Sequence, residues 1–291
     1  MAETVVTPAR PARRKIYRHA AIVRITHWIN AACFVFLLLS GLQIFNAHPH
    51  LYWGDASTFD QNNQPTETFL SIGTILNADG ERRGVVRVMG GPLLDTTGFL
   101  GASQYNGELA QRAFPTWLTL PSRQDLAAGR LWHFLFAWIF VINGIVYVAY
   151  GLAGRHFWRD LVPSRDQWRT FGHTVWEHVR FRFPHGEEAT RYNILQKLAY
   201  LVAVIALIVM VLSGFSMSPG LNAAFPWLPE LFGGRQSART FHFISAAILV
   251  LFAFVHIAMV LVSGVWNNVR SMITGRYTIK EETNDVPPPT P

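Results

Sequence analysis

Four stretches without a charged side chain constrain this sequence more than anything else in it: Ile25 to Gly54, Leu131 to Gly154, Leu198 to Pro229 and Thr240 to Val269. Each holds a dense apolar run of about 20 residues, the length a helix needs to cross the hydrocarbon core of a bilayer. Half of the 291 residues are hydrophobic and 15% are charged, which fits neither an ordinary soluble domain nor a disordered chain. The expected fold class is an all-α membrane protein, a four-transmembrane-helix bundle with a long insert between its first and second helices.

The net charge of +7 raises the question of nucleic acid, and the placement of the charges answers it. Arg10, Arg13, Arg14, Lys15 and Arg18 precede the first span, and the connection from Arg155 to Lys197 is rich in arginine. The connection between the first two spans has more acids than bases, Asp55, Asp60, Glu67, Asp79, Glu81, Asp95, Glu108 and Asp125 among them. The excess of positive charge on cytoplasmic loops puts both termini and the second connection inside, and the acidic insert outside. Topology explains these charges, so no nucleic-acid groove is expected. The expected location is a bacterial inner membrane, crossed four times. The single cysteine, Cys33, reads as a small buried hydrophobe, and the absence of Cys-x-x-Cys-His excludes covalently attached haem. The apolar run after Arg24 is too long for a signal-peptide core and is expected to stay as the first span.

The organisation follows. Residues 1–15 form a flexible cytoplasmic tail, and residues 16–45 and 130–266 the membrane domain. Residues 46–129 form the insert on the periplasmic side, with Gly84 to Val88 its longest strand-like run and Phe114 to Trp117 returning the chain to the interface. Residues 152–192 are an interfacial connection whose His173 and His178 read as ordinary surface histidines. Residues 267–291 form a C-terminal cytoplasmic tail.

Histidines inside such spans are costly and face the bundle interior, where something must satisfy them. His242 and His256 share the last span, fourteen residues apart. At ~100° and ~1.5 Å per residue they fall on nearly one face, separated by ~21 Å along the axis. His27 lies near the inner end of the first span and His133 near the outer end of the second. Because the spans alternate in direction, His133 matches His242 in depth and His27 matches His256. Each depth offers two imidazoles with no charged carboxylate or thiol beside them, too few for a closed zinc site. Two axial nitrogens suit an iron whose other ligands come from a porphyrin, so two non-covalent haem b groups are expected. Arg24, Arg130 and Arg239 each precede a histidine by three residues, on the same helix face and nearer the headgroups. There they are placed to pair with haem propionates, although arginines also flank spans simply by snorkelling. Ser40-Gly41 and Ser213-Gly214 repeat at one depth, and their glycines leave room for a flat ligand or a neighbouring helix.

On Arg24-Ile25-Thr26-His27-Trp28, His133, the His242–His256 spacing and Arg191-Tyr192-Asn193-Ile194-Leu195-Gln196-Lys197, the sequence resembles the di-haem b-type cytochrome subunits of bacterial hydrogenases, formate dehydrogenases and thiosulfate-reductase-like enzymes. The resemblance covers about 200 residues, the four spans and the inner connection. It implies that the four histidines ligate two haems b, and that Asn193, with Gln196 or Lys197, contacts quinone. It also implies a periplasmic oxidoreductase partner, most similar to those of molybdopterin type. The large insert departs from the shortest members, and it lies where such a partner docks. Two other readings are a stand-alone cytochrome acting on superoxide or ferric substrates at its outer face, and a non-redox transporter using histidine relays.

Overall fold

The computed structural model describes residues 13–153, 164–169, 171–172, 176, 180 and 194–280. His173, His178, Asn193, most of the 152–192 connection, and the tails before 13 and after 280 lie outside these residues. Four long helices carry the charge-free stretches: α1 (Ala21–Phe45), α2 (Leu126–Ala153), α3 (Ile194–Met217) and α4 (Arg235–Val262). All four are long and apolar enough to cross a membrane. On α2, Leu135, Trp138, Ile142 and Ile145 are exposed, a stripe that lipid accommodates and water opposes. Helix starts and stops follow local chemistry. Asp125 caps α2 by accepting the Ala128 backbone N–H at 2.9 Å, and Gly264, at φ 101°, breaks α4 before the short helix α5 (Val265–Thr274).

The chain divides into two compact units. One gathers Met1–Ile25, Tyr147–Leu201 and Phe254–Pro291; the other Thr26–Val146 and Val202–Ala253.

The second unit contains the insert, which is built of strands. A four-stranded antiparallel sheet runs in the order β2 (His50–Leu51), β5 (Leu70–Leu76), β6 (Arg82–Val88), β7 (Leu94–Asp95). A small ladder joins β3 (Thr58–Phe59) to β4 (Pro65–Thr66), and a hairpin joins β8 (Gly101–Tyr105) to β9 (Glu108–Arg112). The β5–β6 turn is closed by Asn77, whose Oδ1 accepts the N–H groups of Asp79 and Glu81. The β8–β9 turn is Asn106-Gly107, both at positive φ, as a two-residue turn matched to strand twist requires.

The insert is bonded to the helix ends beneath it. Asn46, just past α1, holds Phe114 through both backbone groups, at 2.7 and 3.3 Å. Gln43 accepts from the buried Arg112 at 3.2 Å and donates to the Arg123 carbonyl at 2.9 Å. The Gly54 carbonyl accepts the N–H groups of Gln236 and Ser237, two donors that the first turn of α4 cannot satisfy internally. Phe45, Leu51, Ile72, Val86 and Ala113 form one apolar core shared by α1 and the sheet, with Phe243 of α4 packed against it.

In the first unit, β1 (Arg13–Tyr17) pairs with β10 (Arg276–Lys280), so segments from the two ends of the chain form one antiparallel ribbon. Asn267 of α5 brackets Thr278, donating to its carbonyl at 2.9 Å and accepting its N–H at 3.0 Å. Arg18 lies over the Tyr277 ring at 4.6 Å.

One expectation is thereby corrected. The chain is mostly helical but not all-α, because the insert's short strands alternate too briefly to outweigh its turn residues on inspection. Within the segments expected as tails, residues 13–15 belong to β1, residues 267–274 to α5 and residues 276–280 to β10. Each ribbon strand is too polar to bury a face, and its backbone is satisfied by its distant partner and, at Thr278, by Asn267. Gly275, at φ 80°, lies where a Cβ would sit 2.7 Å from the Tyr17 ring and 2.9 Å from the His19 carbonyl. Gly275→Ala is expected to weaken the ribbon by about 1–3 kcal/mol. Hydrogen exchange should speed up at the β1 and β10 amides while the α2 amides stay unchanged; equal protection in both proteins would contradict it.

Candidate functional site

His133 and His242 each stand seven residues beyond the first residue of their helix, Leu126 in α2 and Arg235 in α4. The structure brings them together, with ring centroids 6.2 Å apart and planes at 62°. Each ring is held from behind by the Ser-Gly step of another span. Ser40 Oγ of α1 lies 3.1 Å from His133 Nδ1, and Ser213 Oγ of α3 lies 3.1 Å from His242 Nδ1. A Cβ on Gly41 would come 3.4 Å from His133 Cε1, and one on Gly214 3.4 Å from His242 Cε1. The close approach expected at these glycines is thus to an imidazole of a neighbouring helix.

These contacts decide the protonation of the rings. Each serine hydroxyl spends its one proton on a carbonyl four residues back, Phe36 for Ser40 and Val209 for Ser213, both at 2.6 Å. Towards the imidazole it can only accept, so Nδ1 must carry the hydrogen. The Met210 carbonyl, 3.0 Å from His242 Nδ1, can likewise only accept. With Nδ1–H fixed on both rings, Nε2 is left as a lone pair, the form in which histidine binds a metal. Two imidazoles that each put a nitrogen about 2 Å from one shared metal atom have ring centres roughly 6 Å apart. Among the described residues no three His, Cys, Asp or Glu side chains converge as a metal cluster. The pair therefore suits a metal that needs two axial nitrogens and brings its other ligands with it.

The remaining expected residues are placed as follows. His27 is on α1 in the second unit, 5.4 Å from Trp28 edge to face, and His256 is on α4 in the first unit. Arg24 donates to the Ile273 carbonyl. Arg130 is exposed, 5.6 Å over the Phe134 ring. Arg239 is committed elsewhere: its two terminal nitrogens donate to the carbonyls of His50, at 2.9 Å, and His48, and its guanidinium lies 5.4 Å over Phe45. It clamps the loop leaving α1 onto α4. Gln196 is half-buried and Lys197 buried in the first turn of α3.

Three features escaped the sequence reading. Ser40 and Ser213 anchor imidazoles. Asn143, buried in α2, donates to the Thr26 carbonyl at 2.9 Å and to Asn30 Oδ1 at 2.7 Å, fixing α2 against the turn of α1 that carries His27. An amide inside a charge-free stretch was the available signal for it. The third is the loop cluster of His48, His50 and Tyr52. His50 Nδ1 is 2.9 Å from Ser71 Oγ, and the His48 ring lies 5.4 Å from that of His50. Burial, then the charges of His48 and Arg239, push the pKa of His50 down to about 4. Burial, then Arg239, also lowers that of His48.

Four apolar helices and a pair of metal-ready imidazoles define a multi-pass membrane cytochrome. The profile of the prokaryotic cytochrome b561 family matches residues 18–275, and the chain belongs to that family. It is a membrane b-type cytochrome, and the group the family implies is b-type haem, which the imidazole pair fits. Over 129 residues the chain is 35% identical to a putative protein-methionine-sulfoxide reductase subunit, YedZ1, of Azospira oryzae. That match covers 44% of this chain and 63% of the relative, so the chain spans less than two thirds of that relative's length. It is 25% identical over 166 residues to a probable Ni/Fe-hydrogenase B-type cytochrome subunit of Cupriavidus necator, covering 52% of this chain and 68% of the relative. Both relatives are named as subunits, one of a reductase and the other of a hydrogenase.

Two outcomes are expected. Gly214→Val forces a branched carbon against the His242 ring and should lower the b-type haem bound per chain, read by pyridine haemochrome; full retention would disprove the packing argument. Acid should loosen the insert. The folded pKa of His50 lies below its unfolded value of 6.5, so the unfolded loop binds the proton first. The stabilisation is complete above the unfolded value and is lost as pH falls from 6.5 towards about 4. Protection factors at the amides of residues 48–54, taken against the intrinsic exchange rate at each pH, should fall over that window, and less so in His50→Gln.

Proposed function

We propose that this chain is the membrane subunit that passes electrons between a periplasmic redox partner and the membrane quinone pool, using two haem b groups. The observation that carries the reading is the His133–His242 pair, with both Nδ1 atoms bound from behind and both Nε2 atoms free for a metal. The hydrogenase-type and reductase-type subunits among its relatives support it.

In this reading His133 and His242 hold the outer haem. His27 and His256 hold the inner one, since His256 stands fourteen residues further along the same helix face as His242. When bound, haem would supply a one-electron iron centre at each of these histidine pairs. The protein does the rest. Ser40, Ser213 and the Met210 carbonyl keep the rings in one tautomer and one orientation. The exposed guanidinium of Arg130 is available to an outer propionate. Arg24 and Arg239 spend donors on protein carbonyls, which leaves Arg130 the best placed of the three. The spans exclude water. Asn193, with Gln196 or Lys197, receives quinone at the inner side, where both termini lie, and the insert faces a partner of molybdopterin type outside. Moving one charge across the bilayer involves ~2.3 kcal/mol per 100 mV, so partner and quinone potentials set the direction of flow.

A reduced-minus-oxidised spectrum with a pyridine haemochrome count is expected to give two b-type haems per chain; a haem-free protein would sink the proposal. His133→Ala or His242→Ala should remove one haem signal, and His27→Ala or His256→Ala the other. Substituting Asn193 with Ala should slow quinol oxidation at full haem content, and unchanged kinetics would take Asn193 out of the quinone site.

A further inference from the structure

The loop that leaves α1 is pinned to α4 more densely than a connection needs. Arg239 holds the carbonyls of His48 and His50, Thr240 Oγ1 donates to the Tyr52 carbonyl at 2.7 Å, and Gly54 N–H donates to Ser237 Oγ at 2.7 Å. Gly234 touches the same loop so closely that a Cβ there would sit 2.5 Å from the Gly54 carbonyl. Every residue in this clamp lies within five residues of Trp53 or within eight of His242 along the chain.

Trp53 is what the clamp presents. Its indole meets the Phe241 ring edge to face at 5.5 Å, and Phe241 is the residue before His242. On its other side it meets Phe69 of the insert at 5.3 Å. Yet it stays 49% exposed, although held in place on two sides. A half-exposed, immobilised tryptophan is the residue type that most often anchors a protein partner. Among the described residues the other histidine has a different neighbour. Trp132 precedes His133, but it stacks on Phe36 and Phe136, which belong to the spans. Trp117 is more exposed than Trp53, but its ring neighbour is Phe99 of the insert.

The charges around Trp53 have one dominant sign. Asp55 and Asp60 follow it on the loop, and Glu230 lies in the turn that leads to Gly234; all three are exposed. None takes part in the ion pairs formed among the described residues, which are Arg83–Glu81, Arg83–Asp95 and Arg123–Asp125. Of the cations nearby, Arg235 donates to the Met217 carbonyl and Arg239 to those of His48 and His50, and Glu67 shares a cavity with Arg87.

We infer that Trp53, rimmed by Asp55, Asp60 and Glu230, is the docking point through which the outer haem exchanges electrons with a folded redox protein that presents a basic face. This rests on the proposed electron-transfer function and names where that function meets its partner. With haem bound, one electron would pass between the site held by His133 and His242 and the partner's one-electron centre, the one being oxidised as the other is reduced, and no bond or proton would change place. Complementary charge steers the encounter, and the indole supplies the buried contact.

The test uses the full-length protein in nanodiscs, reduced with quinol, and a basic soluble c-type cytochrome as the probe acceptor. Trp53→Ala should slow oxidation by the probe by roughly tenfold, with Trp53→Phe restoring most of the rate and Trp117→Ala leaving it unchanged. The pair Asp55→Asn with Glu230→Gln should slow it at low salt and flatten its ionic-strength dependence, while oxidation by anionic ferricyanide does not slow. A parental rate in Trp53→Ala would overturn the inference, as would a loss confined to Trp117→Ala. So would quenching of Trp53 fluorescence by brominated lipid, which would make it a bilayer anchor. If Trp53→Ala loses haem, the charge pair decides alone: an unchanged salt dependence overturns the inference. A parent protein without haem would instead sink the electron-transfer reading, so the two failures are distinguishable.

Discussion

The contact on which the rest depends is a serine hydroxyl facing an imidazole nitrogen, made twice. A histidine in a membrane helix must find a polar partner, and here the partner is the serine of a different helix, Ser40 for His133 and Ser213 for His242. Because each hydroxyl already donates to its own helix, the contact sets the tautomer as well as the orientation. The adjacent glycines leave room for it: a Cβ at position 41 or 214 would already lie in van der Waals contact with the ring, and a branched side chain would crowd it. The two histidines are therefore ready for a metal before one arrives, at little cost in side-chain freedom.

The same economy governs the insert. Its core is small, and its stability is joined to the helix ends through Asn46, Gln43, Arg112 and the Gly54 carbonyl. Arg112 is buried with no carboxylate beside it, satisfied by the Gln43 and Thr119 oxygens and the Phe114 carbonyl. Such a guanidinium ties three segments together and leaves them little freedom to separate. The helices that carry His133 and His242 are thus locked to the structure that covers them, so a partner meeting the insert meets a surface in fixed relation to that pair.

Legibility differed sharply between levels. Helices announce themselves locally, through length and absence of charge, and α3 runs from Ile194 to Met217 as its apolar pattern indicates. The insert's strands were harder because most are short and alternate only briefly between turn residues, even though all but β2 pair with a near neighbour along the chain. One of its turns was nevertheless readable: Asn106-Gly107 is the strongest short hairpin signal a sequence offers, and the flanking strands follow from it. The ribbon of β1 and β10 had no such signal. Arg13–Tyr17 and Arg276–Lys280 are strands only because they meet across almost the whole length of the chain.

By itself the sequence determined the spans, the positions of four histidines along them and the resemblance that family membership supports, because apolar length and helical spacing are local properties. Tertiary structure alone decided that Ser40 and Ser213 hold the rings, that Arg239 clamps a loop, and that the chain's two end segments pair. The reason is that hydrogen bonds between distant segments depend on which faces packing brings together. No spacing rule along one chain carries that information.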